Sequence, residues 1–323
     1  MKKALLYFLL LQFVACQQDN SKRIIRLGHA LDTNHSVHKA MVKMGEELFR
    51  ISSGTMQIKI YPNQQLGSER ECLELLQIGS LDITKVSTGV LENFSPNMKV
   101  LGLPYLFRDK AHTFAVLDGA IGKQLLNETL SFRIKGLAYY DAGSRSFYTK
   151  RKPIASPSDL KGLKIRVMES VTAMKMVESM GGSPTPISWG ELYTSLQQEV
   201  VDGAENNPPS FYLSKQFEVC KHYTLDEHTT LPDVLVSGSY FWDGLNENQK
   251  EWLNEAVETS VIYQRQLWAE SEAYSLRELK KAGVEIVYPD KKMFEDMVKP
   301  VYDYYRTNGE MDVLINEIKN QYE

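Results

Sequence analysis

The sequence is poor in cysteine and lacks the short motifs of common enzymes. It holds 3 cysteines and 6 histidines in 323 residues, and they do not cluster at the spacing of metal ligands. No G-x-S-x-G, H-E-x-x-H, G-x-G-x-x-G or Walker pattern is present. We therefore expect no enzyme activity, no metal and no cofactor.

The charge balance and the composition limit the class of protein further. A net charge of −4 argues against binding to nucleic acid, which needs a basic surface. With 43% hydrophobic and 24% charged residues, the chain has the composition of a soluble globular protein. Cys72 and Cys220 lie in apolar contexts, which favours buried free thiols over a disulfide.

The first 16 residues have the pattern of a secretory signal. "MKK" is followed by the apolar run "ALLYFLLLQFVA", which is too short to span a membrane. The ending "FVAC" resembles a bacterial lipobox, in which the cysteine, here Cys16, is lipidated, although Phe13 stands where leucine is usual. An ordinary signal with an incidental cysteine is the alternative. Residues 17–23 form a polar tether, so we expect a periplasmic or other extracytoplasmic protein.

Strands alternate with helices along the first part of the chain. Residues 24–30 and 56–62 have the apolar alternation of strands. Ser68 can cap a helix that stops at Gly79. This order predicts an α/β fold with largely parallel sheets. Between the two strands, apolar side chains recur at helical spacing: Val37, Met41, Met44, Leu48 and Ile51.

A second set of elements follows the sequence "YYDAGSR". "LKIRV" predicts a strand, and the helix after it is closed by Gly181. "GSPTPI" carries two prolines, so it is at best an edge strand. Ser188 can cap the next helix, and "VVDGAEN" predicts a short strand that ends in a polar loop.

Residues 246–281 predict almost one continuous helix, because they contain neither glycine nor proline. At 1.5 Å per residue such a helix is roughly 50 Å long, enough to brace two domains. Two shorter helices with an unmarked break are the alternative. The predicted apolar stripe is interrupted and consists of Trp252, Ala256, Ile262, Leu267, Tyr274 and Leu279.

Polar side chains gather where the predicted strands end. In open α/β sheets, ligands bind in the crevice beyond the carboxyl ends of the strands. Arg145 lies in the connection between the two sets of elements. The polar residues that follow or end strands are Asn34, His35, Glu69, Arg166, Glu169, Asn206 and Asn207.

These residue types suit an organic acid. A guanidinium makes two parallel hydrogen bonds to a carboxylate, asparagine can donate another, and Glu69 can accept from a hydroxyl. Trp189 offers a flat apolar wall. Each residue also has a plainer interpretation: Arg166 as a surface ion pair, the asparagines as turn residues and Trp189 as part of the core.

The chain contains three long motifs in order: "YPNQQLGSERECLELLQIGSLDIT", "LGLPYLFRD" and "DLKGLKIRV…GGSPTPISWGELYTSLQQEVVDGAENNPPSFY". They resemble the DctP-type solute-binding proteins of TRAP transporters. The likeness extends from about residue 24 to about residue 304. It implies that an organic acid is trapped between two lobes and delivered to a membrane permease driven by a sodium gradient.

The resemblance also implies a two-lobed periplasmic-binding-protein-like fold with crossing strands and a long helix that spans both lobes. We expect lobe I to comprise residues 24–145 plus about 230–260, and lobe II to comprise residues 146–229. The bridging helix is expected at 246–281, and a C-terminal strand and helices at 282–323.

The resemblance assigns ligand contacts to individual residues. The family's carboxylate-binding arginine matches Arg166 in "KIRV", its partner asparagine matches Asn206 in "DGAEN", and a second arginine matches Arg145 in "GSR". Ala204 replaces the common glutamine of "DGQEN", which puts contacts made there in doubt. Other pocket positions fall on Glu69, Glu169 and Trp189.

"HALDTNHSVHKAM" and "YYDAGSRSFYTK" are similar to the branch that binds hexuronates such as glucuronate and galacturonate. A uronate has one carboxylate and several hydroxyls, so it suits one arginine with Glu, Asn, His and Lys partners, Lys85 among them. A C4-dicarboxylate, sialic acid or a keto-acid stays open as the ligand. A sensor subunit and an enzyme acting on sugar acids are the rival functions.

Overall fold

A computed structural model describes residues 22–321, so the predicted signal, Cys16 and nearly all of the tether lie outside the described residues. The α/β prediction is confirmed. The strands are β1 Arg23–Gly28, β2 Met56–Tyr61, β3 Ile83–Ser87, β4 Ile134–Tyr140, β5 Ser144–Thr149, β6 Lys164–Val167, β7 Ser183–Pro186, β8 Gly203–Asn206, β9 His222–Thr230, β10 Asp233–Gly238 and β11 Glu285–Val287.

Helices cover most of the remaining chain, and short 3-10 turns lie at Pro96–Gly102, Thr129–Phe132, Pro157–Leu160 and Gln216–Glu218. The α-helices are α1 Ser36–Ile51, α2 Glu69–Gln77, α3 Thr88–Leu91, α4 Lys110–Asp118, α5 Ala120–Glu128, α6 Val171–Ser179, α7 Trp189–Gln197, α8 Pro208–Leu213, α9 Ser239–Asp243, α10 Glu247–Lys281, α11 Lys291–Met297, α12 Lys299–Arg306 and α13 Gly309–Asn320.

Two mixed sheets form the centres of two lobes. Lobe I carries the strand order β2-β1-β3-β10-β4, and lobe II carries β11-β9-β5-β8-β6-β7. The β1, β2 and β3 strands are parallel, as are β6, β7 and β8. The proline-containing strand β7 lies at the edge of its sheet, as predicted from its sequence, because proline cannot donate to a central ladder.

The chain crosses between the lobes through very short connections. Residues 141–143 join β4 of lobe I to β5 of lobe II, and residues 231–232 join β9 of lobe II to β10 of lobe I. The two crossings place the carboxyl ends of the parallel strands of both sheets around one crevice.

The predicted long helix is a single 35-residue helix, α10, whose N-cap Asn246 forms a capping box with Gln249. It packs against α1 of lobe I and α8 of lobe II, so it braces both lobes. The predicted apolar stripe was wrong at Ile262 and Tyr274, which are 73% and 46% exposed. The buried face of α10 combines the apolar Leu253, Ala256, Val257, Trp268 and Leu279 with the polar Ser260, Gln264 and Ser275.

The apolar face predicted for α1 is buried except at its end, where Ile51 is half-buried. On α1, Val37, Met41, Met44 and Leu48 are fully buried. Cys72 and Cys220 are buried free thiols, as expected, and burial raises the pKa of the Cys72 thiol to about 11. None of the helices within residues 22–321 combines the length and the hydropathy needed to cross a lipid bilayer.

Candidate functional site

A cavity of about 70 Å³ lies between the lobes, at the strand ends named above. Asn34 does not line it; this residue is exposed, and its backbone N–H donates to Asp32 at 2.8 Å. The other residues expected at the site all line the cavity: His35, Glu69, Lys85, Arg145, Arg166, Glu169, Trp189, Asn206 and Asn207.

Arg166 is a buried cation without a counter-charge. It ends strand β6 with only 2% of its surface exposed, and Nε donates to the backbone oxygen of Ile187 at 2.8 Å. Its Nη1 is buried without a hydrogen-bond partner among the described residues. Burial lowers the pKa of Arg166, because no carboxylate of the described chain lies close enough to form a salt bridge with it. The guanidinium stays charged and lines the cavity.

Arg145 is equally buried, but its guanidinium is already occupied. Nε pairs with the Glu205 carboxylate, and Nη2 donates to Glu205 Oε1 at 2.9 Å. Nη1 donates to Asn206 Oδ1 at 2.9 Å, and the same oxygen accepts from the backbone N–H of Asn207. Arg145 therefore holds Asn206 in place, and the remaining capacity of the Asn206 amide is to donate through Nδ2.

Lys85 on β3 is held between two carboxylates. Its Nζ lies 2.9 Å from Glu69 Oε1 and 3.2 Å from Asp233 Oδ1. Burial raises the pKa of Asp233 to about 6, with Lys85 opposing and Glu69 adding to the shift. Two acids and one cation leave an excess of acceptors, which suits ligand hydroxyls.

Two of the expected site residues also cap helices. His35 is the N-cap of α1, where Nδ1 accepts from the Val37 N–H, so Nε2 carries the proton and lies 3.5 Å from Ser210 Oγ of lobe II. Burial, and then the charge of Lys85, lowers the pKa of His35 to about 3, so the ring is neutral. Asn207 caps α8 by accepting from the Ser210 N–H.

Trp189 and Glu169 lie at the starts of two helices of lobe II, α7 and α6. Trp189 opens α7, is half-buried and packs against the apolar cores of both lobes. Glu169 follows Arg166 by three residues, and its backbone oxygen accepts from Asn93 Nδ2 of lobe I at 2.6 Å. Both residues therefore lie where the lobes meet.

Sequence reasoning missed Gln64, Asp233 and Trp268, which also line the cavity. Asp233 starts strand β10 and could have been found as a strand-end acid. Trp268 lies in the middle of α10, and the sequence around it contains no pattern that indicates a cavity residue. Nε2 of Gln64 is buried without a hydrogen-bond partner among residues 22–321, so Gln64 and Arg166, which both line this cavity, each have a donor without an acceptor.

The chemistry of the cavity is that of anion and hydroxyl binding. Among the described residues no three His, Cys, Asp or Glu side chains are grouped as metal ligands. Unpartnered buried donors are costly in an empty site and become favourable when a ligand supplies oxygens. The arrangement can hold one carboxylate at Arg166 and several hydroxyls elsewhere.

The comparison with known proteins agrees with this chemistry. The family model "Bacterial extracellular solute-binding protein, family 7" (DctP) matches residues 27–308. A TRAP solute-binding protein of Xanthobacter autotrophicus with β-D-galacturonate bound is 39% identical, has a TM-score of 0.90 and is similar over 92% of this chain and 100% of its own.

Two further relatives bind related sugar acids. A TRAP solute-binding protein of Anaerococcus prevotii with D-glucuronate bound is 35% identical, with a TM-score of 0.91 over 93% of this chain and 98% of its own. The 2,3-diketo-L-gulonate-binding periplasmic protein of Escherichia coli is 31% identical over 84% of this chain and 83% of its own.

Proposed function

The chain belongs to family 7 of the bacterial extracellular solute-binding proteins, and on that premise we propose that it captures a hexuronate, such as glucuronate or galacturonate, by closing its lobes over it. The observation that carries the proposal is Arg166, a buried guanidinium that lines the cavity and has no carboxylate partner in the part of the chain that the structure describes. A planar guanidinium binds a carboxylate through two parallel hydrogen bonds.

The charges around the cavity favour one carboxylate over two. A C4-dicarboxylate needs a free cation at each end. Among the described cavity residues, Lys85 is paired with two acids, Arg145 with Glu205 and Arg70 with Glu74. Of the described cations that line the cavity, Arg166 alone remains to pair with a carboxylate of the ligand. Glu69 and Asp233 can accept hydrogen bonds from ligand hydroxyls. A sugar acid matches this balance.

The remaining site residues complete the proposal. Nδ2 of Asn206 donates to the same carboxylate as Arg166, and Nε2 of His35 donates to a ligand oxygen. Glu169 accepts from a hydroxyl, and Trp189 covers one face of the sugar ring. Arg145 acts through Asn206, which it orients, and Asn207 acts by fixing the start of α8.

A panel of acids tests the ligand class. Melting temperatures are measured with D-glucuronate, D-galacturonate, aldonates, succinate, malate and sialic acid. A ligand at 100 times its dissociation constant stabilises a specific binder by about 2.7 kcal/mol, which raises the melting temperature clearly. Stabilisation by succinate or malate with none by either uronate contradicts the proposed ligand and leaves the family membership intact.

We further propose that the bound acid is handed to a TRAP permease, and that Cys16 anchors the exported protein through its lipid. Uptake of the uronate by cells should then require both this chain and the permease. A sensor subunit predicts normal uptake in cells that lack this chain. The anchor is tested by Cys16→Ser, which should release the protein from the membrane fraction; unchanged fractionation and an unmodified cysteine in the mass spectrum contradict it.

A further inference from the structure

We propose that Gln64 is a ligand-binding residue whose side-chain amide also contacts the opposite lobe when the lobes close. The inference rests on the proposed capture of a sugar acid and adds a residue to it. The amide lies against Gly190 of lobe II with Oε1 nearest, and its Nε2, which has no hydrogen-bond partner among the described residues, is left to donate to an oxygen of the ligand.

The loop between β2 and α2 holds Gln64 in an unusual backbone conformation. Asn63 and Gln64 have φ values of 54° and 58°, and two consecutive left-handed residues that are not glycine are uncommon. Backbone hydrogen bonds fix this shape: the N–H groups of Asn63 and Gln64 donate to the oxygens of Leu31 and His29 at 3.1 and 3.2 Å. The loop therefore presents the Gln64 side chain in a defined direction.

The amide of Gln64 touches lobe II at Gly190. A Cβ atom built on Gly190 would lie 2.1 Å from Oε1, 2.9 Å from Cδ and 3.3 Å from Nε2 of Gln64, so a larger residue at this position would displace the Gln64 amide from where it now lies. Gly190 is the second residue of α7 and does not have a positive φ. Its own backbone does not require glycine, and helices disfavour it. The close approach of Gln64 supplies the reason for a glycine there.

The other end of the same amide has nothing to bond. Nε2 of Gln64 is buried without a hydrogen-bond partner in the described part of the chain, and Gln64 lines the same cavity as Arg166. A buried amide nitrogen without an acceptor is unfavourable. A ligand oxygen in the cavity removes that cost, so ligand binding and the Gln64–Gly190 contact favour each other in the closed form.

Two substitutions test the role of the Gln64 amide in binding, and two control substitutions test for effects on the stability of the fold. Gln64→Leu keeps the size of the side chain and removes its donor, whereas Gly190→Ala keeps the donor but displaces the amide that carries it. The controls are Gln65→Leu, at the exposed neighbouring glutamine, and Gly309→Ala, where an added Cβ meets nothing within 4 Å. Affinity for D-galacturonate and D-glucuronate is measured by titration calorimetry.

Gln64→Leu and Gly190→Ala should each weaken binding at least 10-fold while the melting temperature of the unliganded protein stays unchanged. Both controls should bind as the wild type does. Binding within twofold of the wild type by either test variant overturns the inference.

A separate measurement distinguishes failure of the inference from failure of the proposed function. If the wild type binds neither uronate, the proposed function fails, and the contact is then judged by a Gln64→Cys/Gly190→Cys double variant. A bifunctional thiol reagent with a spacer about as long as a glutamine side chain should join the two cysteines, as seen in the mass spectrum, and should form no internal crosslink in either single variant. A double variant that this reagent does not crosslink overturns the contact, whatever the ligand.

Discussion

At the scale of single residues, the cations that line the cavity within residues 22–321 differ in their pairing: Arg166 has no ion-pair partner there, whereas Arg70, Lys85 and Arg145 are each paired with an acid. Arg166 and Arg145 are both buried, yet Arg145 is bonded to Glu205 and Asn206, whereas Nη1 of Arg166 is unpartnered. Breaking a buried pair leaves an uncompensated charge. Substitution of Arg145 therefore damages the protein, and substitution of Arg166 affects chiefly the ligand.

Arg166→Ala should weaken uronate binding at least 100-fold, because a charge-assisted bidentate contact is lost. Arg166→Lys should also bind poorly, since a point charge lacks the bidentate geometry. The measurement is titration calorimetry. Arg151→Ala is the control, because this arginine has 76% of its side chain exposed and is paired with Glu199. Equal losses in Arg166→Ala and Arg151→Ala would remove Arg166 from the site.

A second residue-scale prediction concerns a buried ionic group next to the cavity. His228 Nδ1 lies 2.7 Å from Asp226 Oδ2, and its Nε2 lies 3.6 Å from Glu205, the partner of Arg145. Burial alone lowers the pKa of His228, but Asp226 and Glu205 outweigh it and raise the pKa to about 9. The imidazolium is therefore the form that the folded protein stabilises.

Because the folded pKa of His228 lies above the unfolded value, its contribution to stability is fully present below about pH 6.5 and is lost as the pH rises through about 9. The loss is on the order of 3 kcal/mol. Melting temperatures of the wild type should fall between pH 7 and pH 9.5. His228→Gln should flatten that slope, whereas His222→Gln, at a histidine paired with Glu285 near the surface, should keep it. An unchanged slope in His228→Gln contradicts the prediction.

At the scale of elements, α10 is tied to the crossing between β4 and β5 by one side chain. Gln264 is fully buried; its Oε1 accepts from the Asp141 N–H at 2.8 Å, and its Nε2 donates to the Asp141 oxygen at 2.7 Å. This pair of bonds fixes the position of the long helix relative to the chain that joins the lobes.

Gln264→Leu should destabilise the protein by about 2–5 kcal/mol, because two buried backbone groups lose their partners. The free energy of unfolding in urea measures the loss. Gln266→Leu is the matched control on the exposed side of the same helix and should stay within about 0.5 kcal/mol of the wild type. A similar loss in both variants would show that the effect belongs to the helix in general.

At the scale of the whole molecule, contacts outside the cavity also join the lobes. Glu92 follows α3 in lobe I, and its carboxylate accepts from Ser170 Oγ at 3.0 Å and from Thr172 Oγ1 at 2.9 Å at the start of α6 in lobe II. Since the Thr172 hydroxyl donates to Glu92, the Tyr305 hydroxyl donates to Thr172 at 2.7 Å. These hydrogen bonds join the two lobes at a place outside the ligand cavity, so we expect them to favour the arrangement in which the lobes are in contact.

Thr172→Val should weaken uronate binding about 5- to 10-fold, which corresponds to about 1–1.4 kcal/mol for the loss of such hydrogen bonds. The change should lie mainly in the dissociation rate, because the closed complex opens more readily. Stopped-flow fluorescence can follow it, since Trp189 and Trp268 line the cavity. Thr194→Val, at an exposed threonine of lobe II, is the control, and equal rates in the two variants contradict the prediction.

The sequence by itself determined the α/β class, the edge position of β7, the extent of α10 and the family. Each of these depends on local patterns: apolar spacing, proline in "GSPTPI", and 35 residues without glycine or proline. The gathering of polar residues at strand ends also followed from the sequence, because parallel strands bring their carboxyl ends to one crevice.

The tertiary structure alone decided which of these residues are free to bind. Arg145 and Glu205 are 60 residues apart, so no local pattern marks their pairing or leaves Arg166 as the unpaired cation. The buried face of α10 is partly polar because it meets two lobes and the chain that crosses between them. A prediction based only on the spacing of apolar residues therefore misplaces this face. Gln64, Trp268 and Gly190 acquire their meaning only from long-range proximity, which local patterns do not encode.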